Sequence, residues 1–139
     1  MIFEQNTDDP NWWTDSDCLF GEYESVELTV ETTGEAPDDA TLSEISSIAD
    51  DAHKYILAAA ELILENYSYE HFADLGVDKS LLVDETVEDV ANAVALVSVF
   101  FTNAREKMFE MSFTAPWDPH HTFDVDFENG NAETCAVNG

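Results

Sequence analysis

Positive charge is almost missing from this chain. Lys54, Lys79, Arg105 and Lys107 are its only Lys and Arg residues, against 31 Asp and Glu, for a formal charge of −27. No cation precedes Lys54, while fifteen acids do. Phosphate contacts need Lys and Arg, so direct nucleic-acid binding is not expected. An anionic membrane surface is disfavoured for the same reason. Glycine is scarce as well: five residues and no Gly-rich phosphate loop speak against a nucleotide, and no cofactor is expected. The longest apolar run, AVALVSVFF (93–101), has nine residues, well short of the roughly 20 a membrane helix needs. MIFEQNTDD has neither a basic n-region nor an apolar core, so the expected location is cytoplasmic. There are two cysteines, Cys18 and Cys135, far apart in sequence. Two free thiols are expected in that compartment, and a bridge stays open only if their strands are neighbours.

What is present argues for a folded domain. Apolar residues make up 45% of the chain, with nine Phe, three Trp and four Tyr, too many for a disordered acidic tail. A length of 139 residues suits a single domain over 1–139 with one core. Most of its acids find no cation within the chain, so they face water and repel one another. Three origins fit such a coat: a cationic partner, imitation of a nucleic-acid backbone, or adaptation to high salt, which screens the repulsion.

Periodicity gives the elements. Residues 12–31 read as strands, with Val26, Leu28 and Val30 alternating with Glu27, Thr29 and Glu31. TTGEAPDD (32–39) reads as a loop. Thr41-Leu-Ser-Glu44 matches a capping box with Thr41 as N-cap. From Ile45 to Ile63 apolar residues recur at threes and fours, so one long helix is expected at about 42–67. SYEHFADLG (68–76) suggests a short helical turn. A second, shorter helix begins near Asp84–Glu88, where acids suit the dipole. Near Ala95 the pattern turns β-branched and aromatic, and a strand is expected, with a helix to Phe101 as the competitor. MFEMSFT (108–114) alternates, Pro116 and Pro119 bracket a loop, and Phe123, Val125 and Phe127 alternate with Asp124, Asp126 and Glu128. Asn129-Gly130 is a type I′ hairpin signal before a last strand, AETCAVN. The expected class is α+β: a mostly antiparallel sheet with one long helix and one shorter helix.

Chemistry-bearing patterns are few. His120 and His121 are adjacent, so on a strand they point to opposite faces and cannot easily share a zinc ion. No metal site is expected, and the Asp118/His120/His121 loop remains the alternative, as part of a metal-dependent hydrolase. Asp124, Asp126 and Glu128 fall about 6.6 Å apart on one strand face, too far for a shared proton or a calcium cage. A solvated or partner-facing row fits them better. Trp12 and Trp13 are consecutive, so one of them must face away from the core. A tryptophan amid Asp15 and Asp17 suits a basic partner, through cation–π contact added to charge pairing. No nucleophile motif surrounds either cysteine.

The tail carries a resemblance. W-D-P-H-H-T-F-D-V-D, after the strand MFEMSFT, resembles small bacterial domains that end in a W-D-x-E-H-G motif. Trp117, Asp118 and His121 match it, while His120 stands where that group has Glu and Thr122 where it has Gly. The resemblance implies an α+β fold and a role as an immunity protein encoded beside a polymorphic or contact-dependent toxin. Charge and resemblance agree on a non-enzymatic inhibitor that covers the cleft of a basic, nuclease-like toxin. The residues expected to meet that partner are Trp12, Trp13, Asp15, Asp17, Trp117, Asp118, Asp124, Asp126 and Glu128. A nucleic-acid mimic that inhibits a DNA-binding protein is the other inhibitory reading.

Overall fold

A computed structural model describes residues 1–139. Seven strands form one sheet, in the order of the chain. They are β1 (Glu4–Gln5), β2 (Trp12–Phe20), β3 (Tyr23–Glu31), β4 (Ala95–Asn103), β5 (Met108–Ala115), β6 (Asp118–Glu128) and β7 (Asn131–Asn138). Neighbours are antiparallel except β3 and β4, which run parallel. A parallel pair needs a crossover, and residues 32–94 supply it as a layer of helices.

The expected pair of helices, one long and one short, is corrected to four: α1 (Asp39–Asp50), α2 (Ala52–Leu64), α3 (Tyr69–Asp74) and α4 (Val87–Ala93). The cap moves too. Asp38, not Thr41, is the N-cap of α1, and its carboxylate accepts the Thr41 N–H at 2.8 Å. The long helix breaks at Asp51, whose N–H is shared between Ser47 and Ile48 carbonyls at 3.3 and 3.1 Å. The break sits under the β2–β3 turn. Gly21 there has φ +62°, and a Cβ on it would lie 2.6 Å from Ala52 Cβ. Across the break the apolar stripe continues, with Ile45, Ile48, Ala52, Ile56, Ala60 and Ile63 all buried.

That stripe covers one face of the sheet only. Val26, Leu28, Val99, Phe101, Phe109, Met111, Phe113, Phe123, Val125 and Phe127 point into it, every second residue of their strands. Thirty apolar residues make one core, and Thr29 is the one buried polar residue beside them. Tyr55 stands edge-on to Phe109 and Phe127, at 5.3 and 5.7 Å.

The tail differs from expectation in one place. Pro119, His120 and His121 lie in β6, which starts at Asp118, so only Pro116 and Trp117 turn the chain. In the following hairpin Asn129 and Gly130 have φ of 51° and 77°, both left-handed as a type I′ turn requires. The cysteines are not on neighbouring strands. Cys18 on β2 and Cys135 on β7 are five strand steps apart, about 24 Å at the usual spacing, and both are free. No helix is long and apolar enough to cross a membrane.

Candidate functional site on the uncovered sheet face

Because the helices take one face, the other phase of each strand is left facing outward. Trp12 and Thr14 of β2, Glu27 and Thr29 of β3, Phe100 of β4, Met108 and Glu110 of β5, and Asp124, Asp126 and Glu128 of β6 share it. Trp12 is 38% exposed and meets Phe100 edge-on, with centroids 5.3 Å apart at 80°. Below that pair the Thr14 and Thr29 hydroxyls lie 3.1 Å apart. Beside it is a depression of about 580 Å³, lined among others by Trp12, Phe100, Met108, Glu110, Asp126 and Glu133. No Lys, Arg or His lines it.

The register stacks carboxylates. Glu110 stands directly opposite Asp126, and Ser112 opposite Asp124. Like charges facing across an antiparallel pair destabilise it. Half-burial, and then Asp126 and Asp124, push the Glu110 carboxyl up to about 7, aided by a hydrogen bond with Asp126. Glu110 is therefore the carboxyl on this face that the fold makes hardest to ionise. Thr134 Oγ1 donates to Asp126 at 3.4 Å, and the Asn138 amide donates to Asp124. None of the four Lys and Arg residues pairs with a carboxylate. Lys54 instead lies over the Tyr55 ring, 5.2 Å from its centroid.

The residues expected from sequence are dispersed. Trp12, Asp124, Asp126 and Glu128 lie on the open face. Trp13 pairs with Val30 and turns to the opposite side, with its indole N–H buried and unpartnered. Asp15 accepts the Ile2 N–H at 2.8 Å and the Asp17 N–H at 3.1 Å. The Cys18 thiol and then Ile2 hold its carboxyl below the usual range, so it ties the N-terminus down. Asp17 is exposed on the same strand. Trp117 cannot meet a partner: it is 1% exposed and packs on Tyr67, centroid to centroid 4.4 Å. Tyr67 is itself fixed, its hydroxyl donating to the Val83 carbonyl at 2.6 Å.

Asp118 Oδ1 and His121 Nδ1 are 2.6 Å apart, the chain's one close contact between a carboxylate and a basic side chain, ionic only when the imidazole is protonated. His120 is exposed and does not join them, and nowhere do three or more His, Cys, Asp or Glu side chains gather as metal ligands. Sequence reasoning missed Phe100, Met108 and Glu110. For Met108 and Glu110 the signal was the outward phase of the alternation in MFEMSFT; Phe100 lay in a strand whose phase had not been read.

A family model matches residues 2–137. The chain belongs to the DUF6985 family, described as a domain of unknown function. No curated protein and no solved structure matches it. The matched residues run from before β1 to Val137 in β7, so they include every residue of the open face named above.

Proposed function

We propose that this is a non-enzymatic cytoplasmic binding protein that neutralises a basic protein, in the manner of an immunity protein covering the cleft of a nuclease-like toxin. One observation carries the reading: an aromatic-lined sheet face, rich in carboxylates, that no element and no cation of the chain covers. Complementary fields speed encounter with a basic surface and fix its register. Trp12, Phe100 and Met108 give that surface apolar area to desolvate, which sets the off-rate.

The test is direct titration against the product of the neighbouring gene, from about 50 mM to about 500 mM NaCl. Expected are tight binding that weakens with salt, faster dissociation in Trp12→Ala, and slower association when Asp124 and Asp126 are changed to Lys. Rates untouched by all of these substitutions would sink the reading. Duplex DNA competing for several unrelated DNA-binding proteins would favour mimicry instead.

A second reading has its own support. Asp50, Asp51, Glu61, Glu65, Glu70 and Asp74 are exposed in the helical layer, away from the open face. A partner on one face leaves them unneutralised, as adaptation to a salty medium would. Stability climbing steadily into molar NaCl, with no partner dependence on Trp12, is its signature.

A further inference from the structure

The uncovered face is apolar where Trp12, Phe100 and Met108 line it, and anionic at its rim, where Glu110, Asp126 and Glu133 stand. We propose that this depression seats one arginine side chain of the basic partner, stacked on Trp12 and held by the Glu110–Asp126 pair, and that its entry releases a proton from that pair. The proposal rests on the basic-partner reading and deepens it.

Guanidinium fits for three reasons. Its flat face stacks on an aromatic ring, and the edge-on Trp12–Phe100 pair makes a corner with one ring as wall. Its fork of N–H donors matches carboxylates two at a time, and Glu110 and Asp126 are direct cross-strand partners. It is more weakly hydrated than an ammonium, so the half-buried floor costs it less. The space, about 580 Å³, is within the range of sites that enclose a small ligand.

Proton release follows from what faces Glu110. From β6 these groups are Asp124, Asp126 and Glu128, and from β7 Glu133; Glu27 of β3 lies farther along the same face. Ser98, Phe100 and Thr102 of β4, and Met108 and Ser112 of its own strand, carry no charge. No helix covers this face. Lys107 turns away toward the β6–β7 turn, where its Cδ would be 3.4 Å from a Cβ on Gly130. Every charged neighbour is thus anionic, and each favours the protonated acid. An arriving guanidinium reverses that balance: Glu110 becomes a carboxylate and its proton goes to water.

The experiment titrates the full chain with a short oligo-arginine amide, with oligo-lysine and oligo-citrulline as controls. The Trp12 indole N–H, the Met108 methyl and the backbone amides of both layers are followed by NMR. Expected are saturable shifts at both, with oligo-arginine tightest and oligo-citrulline silent. If only ionised Glu110 accepts the guanidinium, affinity rises about tenfold from about pH 6 to about pH 8. Glu110→Gln removes that pH dependence, and Trp12→Ala weakens binding about fivefold at either pH. Equal affinity and equal shifts for oligo-lysine would overturn the arginine assignment. Shifts confined to helical-layer acids such as Glu61 and Glu65 would overturn this seat, yet leave the basic-partner reading standing. No binding at low salt would end both.

Discussion

Replacing Glu110 with Gln tests the carboxylate pairing without any partner. The native state pushes this carboxyl from its ordinary 4.5 up to about 7. Between those values the folded protein holds a proton that the unfolded chain has lost. Stability therefore falls as pH rises through this window, and is flat on either side of it. Unscreened, the gap is worth about 3 kcal/mol at ~1.36 kcal/mol per pH unit. Glu110 is half exposed, and water screens its repulsion from Asp126, so roughly 1–2 kcal/mol is expected. The glutamine variant lacks that titration. Urea unfolding of both proteins at fixed ionic strength, from about pH 4.5 to about pH 8, gives the difference as a function of pH. The other thirty carboxylates are common to both proteins and cancel to first order. The variant should gain steadily on the parent up to about pH 7 and then hold its lead. A difference flat across the window would show that Glu110 titrates like a solvated acid, and that the open face carries no stored repulsion.

Other substitutions report on the fold that presents this face. Gly21→Ala should cost more than 2 kcal/mol in urea unfolding, since it adds a Cβ 2.6 Å from Ala52 Cβ at a φ of +62°. Gly130→Ala, whose nearest neighbour at 3.4 Å is the flexible end of Lys107, should cost about 1 kcal/mol, and equal losses would discredit the close approach at the helix break. Trp117→Ala should lose about 3–5 kcal/mol, whereas Trp117→Phe should stay within about 1.5, because it also removes a buried indole N–H that has no partner. A Phe variant as unstable as the Ala variant would mean that the indole is satisfied after all. Burial, first of all, pushes the thiols of Cys18 and Cys135 up to about 12 and about 11. Maleimide at about pH 8 should then label the native chain more than about a hundredfold slower than free cysteine, and reductant should leave its migration unchanged.

Most strands were legible because alternation is local. Phe109, Met111 and Phe113 against Glu110 and Ser112 need no partner to reveal a half-buried strand. The helix break was not legible. Ile45 to Ile63 runs without Gly or Pro, so nothing in that stretch marks Asp51. What meets the helices at the break is Gly21, thirty residues upstream, whose turn seats against Ala49 and Ala52. Trp117 misled for a similar reason. Between Pro116 and Asp118 it reads as a surface turn, but Ala115 and Asp118 pair so closely that the indole folds beneath, onto Tyr67.

The site was legible in rows and illegible across them. The sequence put Asp124, Asp126 and Glu128 on one face, since a strand has only two. It could not choose between Trp12 and Trp13, because that depends on β2 pairing Trp13 with Val30. Nor could it place Glu110 opposite Asp126, which is a matter of register between strands. The distinction bears on function. Acids such as Glu61 or Asp74 stand exposed in the helical layer, where water and salt screen them. Glu110 and Asp126 are locked face to face by the backbone ladder, and the fold keeps that repulsion unless a proton or a cation relieves it. A coat adapted only to salt has no need of such a pair. The part of the acidity that costs the fold most is also the part that borders Trp12, Phe100 and Met108, where a cationic partner would return that cost as affinity.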